Sequence, residues 1–114
     1  MEKIWLTSYP PGMPTEVDTA QYRSLVQLLE ESFHKFADRN AYVCMDKFLT
    51  YAEVDAHSKR IGAWLQSRAM KKGARVGIMM PNVLQYPVAI AAILRAGYTA
   101  VSYTHLTLPT SDLV

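Results

Sequence analysis

From residue 24 onward, apolar positions recur at helical spacing, alternate briefly, and then recur again. Leu25, Leu28, Leu29, Phe33 and Phe36 fall on one face at three- and four-residue steps, with Gln27, Glu31, Lys35 and Asp38 opposite. Ser24 followed by Gln27 fits a capping box, so the pattern predicts a helix from about Ser24 to the turn formers Asp38-Arg39-Asn40. Residues 41–45 read as a short strand, Asp46-Lys47 as a tight turn, and 48–50 as the returning strand. Thr50-Tyr51-Ala52-Glu53 is a second capping box. It opens a helix whose apolar face is expected to carry Val54, Ile61, Trp64 and Leu65, and whose wet face carries Asp55, Lys59 and Gln66, to about Arg68.

The next segment predicts a strand–helix–strand unit. Lys71-Lys72-Gly73 reads as a loop with a glycine at positive φ, and residues 75–80 as a strand ended by Pro81-Asn82. A helix follows from Asn82 or a few residues later, because Pro87 is tolerated only in the first turn. Val88 to Leu94 is apolar on all sides, which implies burial by several neighbours, and Arg95-Ala96-Gly97 is a helix stop. Residues 98–101 form the next strand, and such a βαβ crossover is expected to be right-handed. The fold class is therefore α/β, with a short hairpin, three helices and a βαβ unit. Residues 1–20, with Pro10, Pro11, Gly12 and Pro14, read as an extended lead whose Trp5 and Tyr9 pack on something.

Composition narrows the class. The 114 residues are 50% hydrophobic and 19% charged, too apolar for a disordered tail and enough for one domain at most. The net charge is +2, and the only basic cluster, Arg68, Lys71, Lys72 and Arg75, is too thin for a nucleic-acid footprint. A single cysteine, Cys44, rules out an internal disulfide framework and fits a reducing compartment. The start has no apolar h-region and runs into prolines, which argues against a secretory signal. No charge occurs between Arg75 and Arg95, but Pro81, Asn82, Gln85 and Pro87 break that run into strand, turn and helix, not a membrane span.

No self-contained catalytic set is present, and no residue is assigned as catalytic, cofactor-binding or metal-ligating. Gly-x-Gly-x-x-Gly, Walker, Cys-x-x-Cys and His-Glu-x-x-His patterns are all missing. His34, His57 and His105 lack metal-site spacing, and the first two read as polar residues on helices. Cys44 reads as a structural thiol in a strand. Asn82, between strand and helix, sits where backbone donors can hold an anion, but a cap or turn is the simpler role. Met79-Met80 reads as core filling, with a lipid pocket as the alternative. Thr104, Thr107, Thr110 and Ser111 are hydroxyl-rich, yet no glycine follows Gly97 to let a backbone wrap phosphate.

Several segments together have a familiar order. The lead Ile4-Trp5-Leu6-Thr7-Ser8-Tyr9-Pro10, the Leu49-Thr50-Tyr51-Ala52-Glu53 element and Lys71-Lys72-Gly73-Ala74-Arg75-Val76 resemble the start of bacterial long-chain fatty-acid–CoA ligases. So do the run Met79-Met80-Pro81-Asn82-Val83-Leu84-Gln85-Tyr86-Pro87-Val88-Ala89 and Ile93-Leu94-Arg95-Ala96-Gly97. The Leu-Thr-Tyr-x-Glu and Arg-Ala-Gly elements resemble marks of the whole adenylate-forming, AMP-binding superfamily. The Met-Met-Pro-Asn run is narrower and is similar to the long-chain acyl branch.

The resemblance implies a parent enzyme that makes an acyl-adenylate from a fatty acid and ATP, with Mg²⁺, and then transfers the acyl group to CoA. It implies a cytoplasmic protein, and it is compatible with peripheral attachment to the inner membrane face and with a homodimer. The family's phosphate loop, metal ligands, ribose-binding acid and lysine lie downstream of the matched segments, so none maps onto a residue here. The fragment alone is expected to be inactive.

Residues 1–20 are then the lead and 21–100 a truncated N-terminal AMP-binding domain. Residues 101–114 depart from the family, which would continue through an Asn-Pro strand end. Val101-Ser102-Tyr103-Thr104-His105-Leu106-Thr107-Leu108-Pro109-Thr110 instead resembles one translated frame of a transposon sequencing adapter, so 101–114 is expected to be non-native. Another adenylate-forming ligase (aryl, medium-chain or amino acid) and a stand-alone α/β binding module remain the alternatives.

Overall fold

A computed structural model describes residues 1–103. The hydroxyl-rich stretch and His105 lie outside the described residues. The lead is not wholly extended, because Ile4–Ser8 forms a single 3-10 turn before the prolines begin. Its i→i+3 bonds, Leu6 N–H to Lys3 O and Tyr9 N–H to Leu6 O, need no residue beyond Tyr9, so Pro10 does not interfere. Trp5 and Tyr9 are only partly covered by the described residues and remain exposed, at 47% and 39%.

Helix α1 spans Leu25–Lys35, and Ser24 Oγ accepts from Gln27 N–H at 3.1 Å as the spacing predicts. Gln27 Oε1 returns to Arg23 N–H, one residue earlier than the box requires. Phe33 is buried on its inner face, whereas Leu25, in the first turn, is exposed. Strands β1, Asn40–Cys44, and β2, Lys47–Thr50, form an antiparallel hairpin in which Val43 faces Phe48 and Cys44 faces Lys47. The turn is therefore Met45-Asp46, one residue earlier than expected. Both residues have positive φ, 49° and 60°, the geometry that lets a two-residue turn match strand twist.

Helix α2, Tyr51–Gln66, has the complete capping box: Thr50 Oγ1 accepts from Glu53 N–H, and Glu53 Oε2 accepts from Thr50 N–H. Its buried stripe differs from the expected one. Val54 and Leu65 are buried, but Ile61 and Trp64 are 41% and 56% exposed, and Ser58 and Gly62 take the inner positions instead. The helical steps 54, 58, 62 and 65 define that seam, and its small middle residues bring α3 close.

Strand β3, Arg75–Ile78, stops two residues short of the expected end, and α3 covers Gln85–Arg95 with Pro87 in its first turn. Strand β4, Thr99–Ser102, pairs parallel with β3 in the register Arg75↔Thr99 to Ile78↔Ser102. The α3 stop is a Schellman arrangement. Gly97 at φ 88° donates to Leu94 O, and Tyr98 donates to Ile93 O. Gly73, also at positive φ, donates to Gly97 O and so ties the two connections of the βαβ unit together.

Two apolar clusters form the core, and α3 serves both. Ile93 and Ala96 join Leu65, Ile78 and Tyr98 on one side, while Val88 and Ala91 join Phe33 and Val54 on the other. That double role explains why α3 is apolar all round. Each large aliphatic side chain sunk there contributes about 1.5–3 kcal/mol.

Candidate functional site

Of the described residues singled out for chemistry, Cys44 and Asn82 meet, and the two histidines stand apart from them. His34 and His57 lie exposed on α1 and α2, and no three His, Cys, Asp or Glu side chains cluster among the described residues. Cys44 is half-buried at the end of β1, where its Sγ donates to Asn82 O at 3.6 Å and pins the hairpin to the β3–α3 connection. Asn82 is in a turn and does not cap α3: Leu84 occupies the N-cap without a side-chain bond. Val83 N–H is directed to Pro81 O and Tyr86 N–H to Val83 O, so these two donors are engaged within the turn. Met80 packs against the first core cluster, while Met79 beside it is exposed.

A charged junction escaped the sequence reading. Arg95, expected only to complement the end of α3, directs its guanidinium across to α2 and α1. Nη1 donates to Asp55 Oδ1 at 2.8 Å, to Ser58 Oγ at 2.8 Å and to Asp55 O at 3.3 Å. Nε lies 3.4 Å from Glu30 Oε1, and the guanidinium stands 5.5 Å from the centre of the Phe33 ring. The Arg95 side chain is only 11% exposed. Ser58, fully buried, accepts from Arg95 and donates to Asp55 O, so both of its hydroxyl functions are satisfied. Burial works against the Asp55 charge, but hydrogen bonds and positive charge from Lys59 and Arg95 outweigh it and hold the carboxyl below its ordinary value. Nη1 and Nε of the guanidinium thus face acceptors on α1 and α2. The junction is a clamp joining three helices, and the only sequence signal for it was the pairing of one cation with acids on two other helices.

An apolar cavity of about 450 Å³ opens between α2, the start of α3 and β2. Leu49, Ile61, Leu84 and Val88 form its walls, with His57, Arg60 and Gln85 at the rim. Such a lining suits an apolar group with a polar end, and it holds no nucleophile or paired acid and base.

Comparison with known proteins places this scaffold. The family model described as AMP-binding enzyme matches residues 29–110. A long-chain-fatty-acid–CoA ligase of Escherichia coli O6:H1 is 44% identical over 96% of this chain and 20% of its own length. One from Haemophilus influenzae is 40% identical over the same shares. The chain thus spans about a fifth of the length of the curated relatives it matches. Among solved structures, the N-terminal subdomain of Klebsiella oxytoca NpsA in complex with anthranilyl-AMSN superposes with a TM-score of 0.73 at 20% identity, over 82% of this chain and 25% of that one. At that identity the likeness speaks for the fold alone. The family match covers most of the chain, and the fold agrees with it: this chain belongs to the AMP-binding enzyme family.

Proposed function

We propose that this chain is the N-terminal part of a ligase that activates long-chain fatty acids to acyl-CoA through an acyl-adenylate. The observation that carries the reading is 44% identity to a long-chain-fatty-acid–CoA ligase over nearly the whole chain, the narrow Met79-to-Ala89 run included. In this reading residues 21–100 are the first portion of the adenylate-forming domain, 1–20 its lead, and 101–114 a non-native addition. An adapter junction at codon 101 of the source contig would support that boundary, and native reads across it would remove it.

The described residues assemble no cluster of ligands for Mg²⁺, and none of them is assigned to ATP or CoA. The Arg95 guanidinium is turned to Asp55 and Ser58 within the fold, and no group of three or more His, Cys, Asp or Glu that could hold a cation occurs among the described residues. The contribution of this segment to the parent is therefore a frame: a capped α2, a clamped α3 and a βαβ ladder on which later strands can build. The parent acts in the cytoplasm, and peripheral contact with the inner membrane face and homodimer formation belong to the same reading.

The test is recovery of the full-length gene and measurement of ATP–pyrophosphate exchange with long-chain, medium-chain, aryl and amino acids. Exchange is expected with the long-chain acid and not with the 114-residue chain alone. Exchange confined to an aryl or amino acid would reassign the branch.

A further inference from the structure

Between Asp55 and Asp112 the chain contains no Asp or Glu, yet it carries Lys59, Arg60, Arg68, Lys71, Lys72, Arg75 and Arg95. Lys59 and Arg95 are neutralised within the fold by Asp55 and Glu30. The other cations have no carboxylate partner among the described residues. Their placement is not uniform. Arg60 and Trp64, four residues apart, share a face of α2 turned away from the Val54–Ser58–Gly62–Leu65 seam, and half-exposed Ile61 lies between that face and the seam. Arg68, just past the helix, stands with its guanidinium 4.6 Å from the centre of the Trp64 ring. Lys71 and Lys72 follow in the exposed loop.

The face therefore combines exposed apolar side chains with unpaired cations. Ile61 also forms a wall of the apolar groove beside Leu84 and Val88. A duplex-binding surface would present cations along a phosphate track. Here they flank a Trp–Ile ridge, the composition of a helix that lies in a membrane interface.

We propose that this face of α2 and the loop after it dock on an anionic lipid bilayer. Trp64 and Ile61 enter the boundary between headgroups and acyl chains, and Arg60, Arg68, Lys71 and Lys72 pair with lipid phosphates. The inference gives a location to the peripheral contact in the reading above, and rests on that part of it. It needs no ligation chemistry.

The experiment is co-sedimentation of the full chain with phosphatidylcholine vesicles containing about one-third phosphatidylglycerol, or none, at low and high salt. A Trp5→Phe background leaves Trp64 as the sole tryptophan reporter. The expected result is salt-sensitive binding to the anionic vesicles with a blue shift of Trp64 emission. Lys71→Gln with Lys72→Gln is expected to weaken it by about 10- to 30-fold, and Ile61→Ser by about tenfold. These exposed positions leave the helical circular dichroism unchanged. Equal binding to neutral vesicles, no effect of the lysine pair, or tighter binding to a soluble duplex oligonucleotide would overturn the proposal. Pyrophosphate exchange by the full-length enzyme with dispersed fatty acid needs no vesicle, so failure of docking and failure of the ligase reading are separable.

Discussion

Gly62 of α2 passes against the Ala92 carbonyl of α3, and a Cβ built on Gly62 would stand 3.3 Å from that oxygen. This close approach organises the middle of the molecule. It lets Ser58, one turn earlier, reach the Arg95 guanidinium, and it seats Val54 and Leu65 in the two clusters on either side. A larger residue at the crossing would lever the helices apart and loosen both clusters.

Gly62→Val is accordingly expected to destabilise the chain by about 1–3 kcal/mol, the range for overpacking a tight contact. Gly62→Ala gains helix propensity of about 1 kcal/mol while pressing on the same carbonyl, so its net change should be smaller than that. Urea unfolding of both variants measures the difference. A valine variant as stable as the parent would mean that the helices are farther apart than the seam indicates.

Gly97→Val should lower stability by about 1–2 kcal/mol or more, because φ 88° is left-handed and a β-branched side chain is strained there. No atom lies within 4 Å of the Cβ position, so the effect is one of backbone conformation and not of crowding. His57→Ala, on the exposed face of α2, should change stability by less than about 0.5 kcal/mol. Thermal melts of the two variants compare them directly, and equal shifts would mean that Gly97 does not need its left-handed conformation.

These contrasts show which features were legible. Thr50 with Glu53, and Gly97 after Arg95, are local signals, since the partners lie within one turn and chemistry alone pairs them. The inner stripe of α2 was not legible, because Ile61 and Trp64 are more apolar than Ser58 and Gly62. Hydrophobicity ranks the former as core, but closeness of α3 selects the latter. The clamp was hidden for a related reason: Asp55 and Arg95 are forty positions apart. Their meeting depends on the α2–α3 crossing, which no local pattern states. The hairpin turn slipped by one because Met45 takes a left-handed conformation that its side chain gives no reason to expect.

Asp55 yields a pH prediction with a definite sign. Its carboxyl lies below the ordinary value in the folded chain: burial opposes its charge, and the Lys59 and Arg95 interactions more than compensate. A depressed folded value means that the stabilisation is complete above the unfolded carboxylate range and is lost as pH falls through the folded value. Asp55→Asn should therefore cost about 1–3 kcal/mol at neutral pH by leaving Arg95 short of an ionised partner, and the gap should close on acidification. Urea midpoints for the two chains, followed from neutrality to about pH 2, measure it. A constant gap would show that the Asp55 charge is not what holds the clamp.

The last prediction concerns the end of the βαβ ladder. Val101 and Ser102 pair with Gly77 and Ile78, and Tyr103 N–H donates to Ile78 O at 3.1 Å. These residues follow the proposed boundary at Ala100, yet they complete β4, because pairing needs an extended backbone and a β-branched side chain, whatever the origin of the segment. Ile78 is a core residue, so the ladder supports more than its own edge. A chain ending at Ala100 should lose about 1–3 kcal/mol of local protection at Gly77 and Ile78 relative to one ending at Tyr103, as two or three ladder bonds are removed. Exchange along Gln85–Arg95 should stay slow in both, because α3 is held by the Arg95 clamp and by the α2 seam, neither of which involves β4. Hydrogen exchange on the two truncations measures this. Loss of protection along α3 in the shorter chain would show that β4 beyond Ala100 is part of the cooperative core, and the domain boundary proposed at that residue would have to move.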